Sequence, residues 1–348
     1  MTRQIKIGGL LIGGGAPISV QSMTKTDTID VAKTVSQIRQ LKEAGCDAVR
    51  VAVKDEEAAN AVKDIVKQSS LPLIADIHFD YKLALMVIAF GINALRINPG
   101  NIGSDWKVKE LVNACKDKRI PIRIGVNAGS LEKDLLEKYG HPTAQAIVES
   151  AKRHIEILEG MGFNDIKVSL KASNVPLTVE AYEIFSSIYD YPLHIGISEA
   201  GPIYSGTIKS AVGLGILLSK GIGDTMRVSL TADPVQEVGV AFEILKSLGL
   251  RKRGVDIISC PTCGRCQYDL LNLIKEAEPK IRAINKEITV AIMGCAVNGP
   301  GEAREADYGI AGGKGSGMIF KKGEIVKKVK EEDMIDSLLK IIEEDNAG

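Results

Sequence analysis

The sequence predicts an α/β chain in which residues 1–252 form a (β/α)8 TIM-type barrel and residues 253–348 form a smaller α/β domain. Three observations carry this reading. Apolar, β-branched runs recur eight times, and their near-continuous hydrophobicity suits strands buried on both faces, as in a parallel sheet. A segment with helical period follows each run. The alternation then breaks at Gly249-Leu250-Arg251-Lys252-Arg253-Gly254, which marks the domain boundary.

The first strand is expected at 17–21 (ISVQS). The helix after it repeats Val31, Val35, Ile38 and Leu41 on one face, with Asp27 or Thr28 as its cap and Gly45 as its stop. Gly13-Gly14-Gly15 lacks both the GxGxxG spacing and a following helix start, so it reads as a turn. Further strands are expected at 47–53, 71–77, 92–97, 120–126, 164–170, 191–197 and 223–230. Helices at 55–67, 81–90, 104–117, 142–161, 175–189, 206–219 and 233–248 alternate with them. Eight such units fit a closed barrel; a doubly wound open sheet is the rival arrangement. Beyond the boundary the pattern predicts a helix at 268–284, a strand at 288–294 and a terminal helix at 331–344. The Gly-rich stretch 305–330 should hold short strands and turns, with Lys321-Lys322-Gly323-Glu324 as a hairpin tip.

Lys+Arg and Asp+Glu both number 44 in 348 residues, so the formal net charge is zero. That argues against general nucleic-acid binding, which needs an excess of cations. A small anionic substrate stays open, because Arg clusters can sit inside a neutral total. No apolar run approaches the ~18 residues of a membrane span. The expected location is therefore the cytoplasm, with six cysteines as reduced thiols or ligands rather than disulfides. Cys46 and Cys115 fall on apolar patterns and read as core.

In parallel barrels the chemistry sits at the carboxyl ends of the strands. Polar residues there are Arg50, Asp76, His78, Arg96, Asn98, Arg123, Asn127, Lys171, Ser173, Ser198, Glu199, Arg227, Ser229 and Thr231. A lone Arg at a rim is usually a salt bridge, but several converging cations suit a substrate with more than one phosphate.

The last quarter carries Cys260-Pro261-Thr262-Cys263 and Gly294-Cys295-Ala296-Val297-Asn298-Gly299-Pro300-Gly301-Glu302. Thiolates are soft ligands that select iron–sulfur clusters, zinc or copper. Cys260-x2-Cys263-x2-Cys266 matches the opening of a ferredoxin cluster run, whose next cysteine is replaced by Leu270. The fourth ligand is either Cys266, giving a closed site, or Glu302, a carboxylate that a substrate could displace. Zinc is the rival metal; iron–sulfur fits the spacing better, since Cys295 lacks the second CxxC pair of a zinc ribbon.

These motifs, with Val20-Gln21-Ser22-Met23-Thr24, Arg96-Ile97-Asn98-Pro99-Gly100-Asn101 and Gly196-Ile197-Ser198-Glu199-Ala200-Gly201, resemble the bacterial 4-hydroxy-3-methylbut-2-enyl diphosphate synthases of the non-mevalonate isoprenoid pathway. The resemblance runs in order through nearly the whole chain, with no room for the middle insertion of plant relatives. It implies a barrel that binds 2-C-methyl-D-erythritol 2,4-cyclodiphosphate and a domain carrying a [4Fe–4S] cluster on Cys260, Cys263, Cys295 and Glu302. It assigns the diphosphate to Arg50, Arg96, Arg123 and Lys171, with Asn98, Asn127 and Ser229 as neutral partners, and a proton-donor role to Glu199. It also implies flavodoxin or ferredoxin as electron donor, and a homodimer whose active site is shared between subunits.

Overall fold

The computed structural model describes residues 1–295, 301 and 304–345. The chain forms two compact units, Met1–Arg251 and Lys252–Gly348.

The first unit opens with a hairpin, β1 (Ile5–Ile7) and β2 (Leu10–Ile12), that the sequence pattern did not reveal. Three-residue strands carry no readable period. Ile5, Ile7 and Ile12 pack on Ala48, Ile74 and Ala94, which stand at the starts of barrel strands, so the hairpin plugs the amino-terminal end. Gly13, Gly14 and Gly15 all take positive φ, and a side chain at Gly13 would collide with the Arg3 carbonyl oxygen; the stretch is the turn its composition predicts.

Eight parallel strands follow: β3 (Ser19–Met23), β4 (Ala48–Ala52), β5 (Leu73–Asp76), β6 (Ala94–Arg96), β7 (Ile122–Asn127), β8 (Ile166–Lys171), β9 (His194–Ile195) and β10 (Thr225–Met226). Their order is β8-β7-β6-β5-β4-β3-β10-β9, and a parallel bridge between Val168 and Leu193 joins the two edges. The sheet is thus a ring, which decides against the open-sheet rival. Around it run α1 (Val31–Glu43), α2 (Glu56–Gln68), α3 (Tyr81–Ala89), α4 (Pro99–Ile102), α5 (Asp105–Lys118), α6 (Lys133–Tyr139), α7 (Ala144–Gly160), α8 (Val175–Ile188), α9 (Ile203–Ser219) and α10 (Pro234–Ser247). The short helices α4 and α6 escaped the periodicity for the same reason as the hairpin. Helix α1 is capped by Asp30, whose carboxylate accepts from Lys33 N at 3.0 Å, and not by Asp27 or Thr28; the Thr28 hydroxyl donates instead to the Ala52 carbonyl.

One core of Val, Ile and Leu fills the space between strands and helices. Cys46 and Cys115 lie inside it as free thiols, each pushed up to about 12 by burial. No helix among the described residues is long and apolar enough to cross a membrane.

The second unit is a sheet of β11 (Asp256–Ser259), β12 (Thr289–Met293), β13 (Tyr308–Gly313), β14 (Ser316–Lys321) and β15 (Glu324–Lys330), in that order. The pairs β11–β12 and β12–β13 are parallel, and β13–β14 and β14–β15 are antiparallel. Helix α11 (Leu270–Arg282) and the helix Met334–Glu344 cover it. Lys322 and Gly323 both have positive φ between β14 and β15, as a two-residue hairpin turn requires. Strand β11, a four-residue edge strand, was not expected.

Candidate active site

At the carboxyl ends of the barrel strands lies a cavity of about 200 Å³ lined by polar and charged side chains. Its walls include Arg50 from β4, Asp76 from β5, Arg96 from β6, Arg123 and Asn127 from β7, and Lys171 from β8. His78, Ser169, Ser198, Glu199, Arg227 and Ser229 complete them.

Register explains the crowding. Asp76 is the strand partner of Arg96, Arg96 of Arg123, and Arg123 of Lys167. Residues in register on neighbouring parallel strands point to the same side of a barrel, so one acid meets three cations in a row. Two glycines make the row sterically feasible. A Cβ at Gly125 would stand 2.6 Å from Arg96 Nε, and one at Gly196 would stand 2.5 Å from Lys171 Nζ. Arg96 therefore lies across bare backbone of β7, and Lys171 across the bare backbone just past β9.

Asp76 is shared: Arg50 Nε approaches it at 3.5 Å and Arg96 Nη1 at 3.3 Å. Burial alone would raise the Asp76 carboxyl, but Arg50, Arg96 and Arg123 hold it below the usual range. Arg96 also donates to the Gly125 carbonyl at 2.9 Å and contacts the His78 ring. Arg50 directs Nε and Nη2 at the Met23 sulfur, 3.2 and 3.0 Å away. Arg227 is anchored by Glu237 on α10, which is 1% exposed. That carboxylate accepts from Arg227 Nε at 3.3 Å and Leu230 N at 3.1 Å, and pairs with Lys25 Nζ at 3.0 Å.

Arg123 and Lys171 have no such partner. Both are buried, and neither side chain makes a hydrogen bond or ion pair among the described residues; Arg123 Nε is sealed from solvent without an acceptor. Burial, then Arg123, Arg50, Arg227 and Lys167, push the Lys171 ammonium well below the ordinary lysine range. Glu199 stands exposed at the rim with φ +52°, a left-handed conformation that costs a non-glycine residue on the order of 1 kcal/mol or more and clusters at functional sites.

Of the residues expected from sequence, Arg50, Arg96, Arg123, Asn127, Lys171, Ser229 and Glu199 meet at this cavity. Asn98 does not line it: its Oδ1 accepts from Gly125 N at 2.9 Å and its Nδ2 donates to Gly125 O at 3.1 Å. Ser169 and Glu237 were missed. Glu237 had a readable signal, since helical period puts it on the buried face with Val238, Ala241 and Leu245.

In the second unit, Cys260 follows β11 and its N–H donates to Ile292 O at 3.0 Å. Thr262 takes φ +66°, and Cys266 N closes the turn onto Cys263 O at 2.9 Å. A Cβ on Gly294 would lie 3.1 Å from Cys266 Sγ and 3.5 Å from Cys260 Sγ, so two sulfurs share its bare face, with Cys295 next in the chain. The backbone N–H and the guanidinium of Arg265 both donate to the Cys263 sulfur and favour its thiolate; Cys295 and Cys260 act on the same guanidinium. Glu302 lies outside the described residues, and among those described no three thiols or carboxylates stand where they could hold a metal ion. The donor chemistry and the cradle at Gly294 nevertheless suit a soft, thiolate-bound centre.

The family descriptions "GcpE TIM-barrel domain" and "GcpE protein C-terminal domain" match residues 2–242 and 256–344. Three bacterial proteins named 4-hydroxy-3-methylbut-2-en-1-yl diphosphate synthase (flavodoxin) are similar over nearly their whole length. The one from Geobacter sulfurreducens is 62% identical, over 98% of this chain and 97% of its own. Those from Thermodesulfovibrio yellowstonii and Clostridium perfringens are 60% and 61% identical, each over 98% of both chains. Among solved structures, dihydropteroate synthase from Yersinia pestis superposes with a TM-score of 0.52 at 12% identity, covering 72% of this chain and 100% of that one. At that identity the likeness shows the barrel fold alone.

Proposed function

The chain belongs to the GcpE family, and on that premise we propose that it converts 2-C-methyl-D-erythritol 2,4-cyclodiphosphate to (E)-4-hydroxy-3-methylbut-2-enyl diphosphate in isoprenoid biosynthesis. Two electrons and a proton enter. The ring C–O bond to one phosphate breaks, the hydroxyl on the neighbouring carbon leaves as water, and a double bond forms between the two carbons.

The observation that carries this reading is the pair of buried basic side chains without a direct acid partner among the described residues, Arg123 and Lys171, in the cavity wall. Proteins rarely bury a charge without a partner, and an anion is the missing one. Arg50, Arg96, Arg123 and Lys171 hold the diphosphate and stabilise the charge that develops on its oxygen as the ring opens. Asn127 and Ser229 add neutral hydrogen bonds, and Asn98 serves the site by fixing Gly125, against which Arg96 lies. Glu199, at the rim, protonates the departing hydroxyl. A [4Fe–4S] cluster on Cys260, Cys263, Cys295 and Glu302 would supply electrons singly, drawn from flavodoxin or ferredoxin. Arg265 keeps Cys263 ready to ligate. The active form is a homodimer with a shared site, a reading supported by the exposed Tyr204, Ile208 and Val212 on α9.

The test is anaerobic turnover of the cyclic diphosphate with reduced flavodoxin, alongside the electron paramagnetic resonance spectrum of the dithionite-reduced protein. Allylic diphosphate and a cluster signal that changes with substrate are expected. A cluster signal indifferent to substrate, with no product, would refute the assignment and favour an electron carrier closed by Cys266; a colourless, zinc-loaded protein would refute it from the other side.

A further inference from the structure

Lys171 ends β8 with its Nζ against the backbone of Gly196. The groups that share its cavity are mostly cationic: Arg50 from β4, Arg96 from β6, Arg123 from β7 and Arg227 just beyond β10, with Lys167 on its own strand and His194 of β9 buried nearby. Asn127, its strand partner on β7, carries no charge. The acids nearby are already engaged or distant. Asp76 is divided between Arg50 and Arg96, Glu237 is held by Arg227 and Lys25, and Glu199 stands exposed at the rim.

A cluster of this kind lowers its own energy by shedding a charge. Arginine cannot do so, because guanidinium keeps its proton in proteins; lysine can. Lys167 has the same freedom but does not line the cavity, whereas Lys171 does. We propose that Lys171 gains its ammonium proton as the diphosphate enters, so that anion binding and proton uptake at the barrel mouth are one event. The step breaks no covalent bond of the substrate: a neutral amine takes one proton from solvent and becomes the cation that the arriving phosphate oxygens need.

This inference rests on the diphosphate reading above, and adds to it that the site is not fully charged beforehand. The cyclic diphosphate has one strongly acidic oxygen on each phosphate and enters already ionised, so it cannot supply the proton itself. Linkage then fixes the sign. Affinity is highest where Lys171 is protonated in the free protein, and falls as pH rises between the free-state and bound-state titrations, by up to about tenfold per pH unit.

The experiment is isothermal titration of the full, anaerobic, cluster-loaded chain with the cyclic diphosphate near pH 8, in phosphate-free buffers of different ionisation enthalpy. A buffer-dependent heat corresponding to uptake of about one proton per site is expected. Lys171→Arg should bind the ligand with that uptake abolished. Equal heats in all buffers would overturn the inference while leaving the functional reading intact. Uptake that persists in Lys171→Arg would overturn the assignment to Lys171, and absence of binding would overturn both readings together.

Discussion

Arg123→Met separates a binding cation from a structural one. Arg123 is 3% exposed, its Nε has no acceptor, and among the described residues no carboxylate pairs with it directly, Asp76 acting on it only at longer range. Methionine keeps an unbranched stem of similar reach and removes the charge. Replacing buried ionic groups by apolar ones of similar volume is neutral or stabilising by about 1–4 kcal/mol. Taking about 2 kcal/mol, and about 2–4 °C per kcal/mol for a domain of this size, the melting temperature should rise by roughly 4–8 °C. The diphosphate loses at least one charge-assisted hydrogen bond of about 1.5–3 kcal/mol. At tenfold per 1.4 kcal/mol, its affinity and kcat/KM should fall roughly 10- to 150-fold. Calorimetric melting and steady-state kinetics on the same preparation read both effects. A variant that melts lower than the parent and binds substrate normally would refute the reasoning, because it would mean that Arg123 is satisfied within the fold.

Three further outcomes follow from particular contacts. Gly196→Ala puts a methyl 2.5 Å from Lys171 Nζ and 2.6 Å from the Arg227 carbonyl oxygen, so overpacking of about 1–3 kcal/mol and a raised KM are expected; unchanged kinetics would free Lys171 from the position described. Glu199→Gln should retain the cluster spectrum yet lose most turnover, and near-normal turnover would remove Glu199 from the acid role. Glu132 is held down to about 2, chiefly by a hydrogen bond from His154 and opposed by burial. Its folded-state titration lies below the unfolded one, so its stabilisation is complete above about pH 4.3 and is lost as pH falls from there towards 2. Glu132→Gln should flatten that acid limb in a melting-temperature series; an unaltered limb would show that other carboxylates govern it.

The parts of this molecule legible in its sequence are those whose physics is local. Strands such as Ile122–Asn127 and Ile166–Lys171 are buried on both faces and announce themselves as apolar runs, and α1 and α7 do so by period. Strands β9 and β10 have two residues each, and just past β9 the bare backbone of Gly196 lies against Lys171 Nζ and the Arg227 carbonyl, a long-range contact that no local pattern encodes. The same limit applies to the site. That Arg50, Arg96, Arg123 and Lys171 would reach one mouth could be read from strand ends. Which of them would remain unpaired could not, since it depends on Asp76 lying between Arg50 and Arg96, and on Glu237 reaching Arg227 from a helix distant in sequence. Asn98 looked equivalent to Asn127, and only the backbone of Gly125 distinguishes them.

Away from the barrel mouth, several partly buried cations have acids beside them, as in Arg251 with Asp47 or Arg153 with Asp134 and Glu149. The chain total is also balanced, at 44 of each sign. Across β5 to β8, however, a single acid faces Arg96, Arg123 and Lys167 in register. Like charges side by side in a sheet destabilise it, and their burial makes the effect larger. Exchanging Arg123, the member of the row with no direct acid partner among the described residues, for an apolar residue would relieve the fold, so stability is not the reason it stands there. A ligand that brings negative charge into the barrel mouth makes the same row favourable, and it does so only while bound. On the proposed diphosphate reading, the anion would relieve this like-charge crowding, and the relief would help to hold it in place while its ring opens.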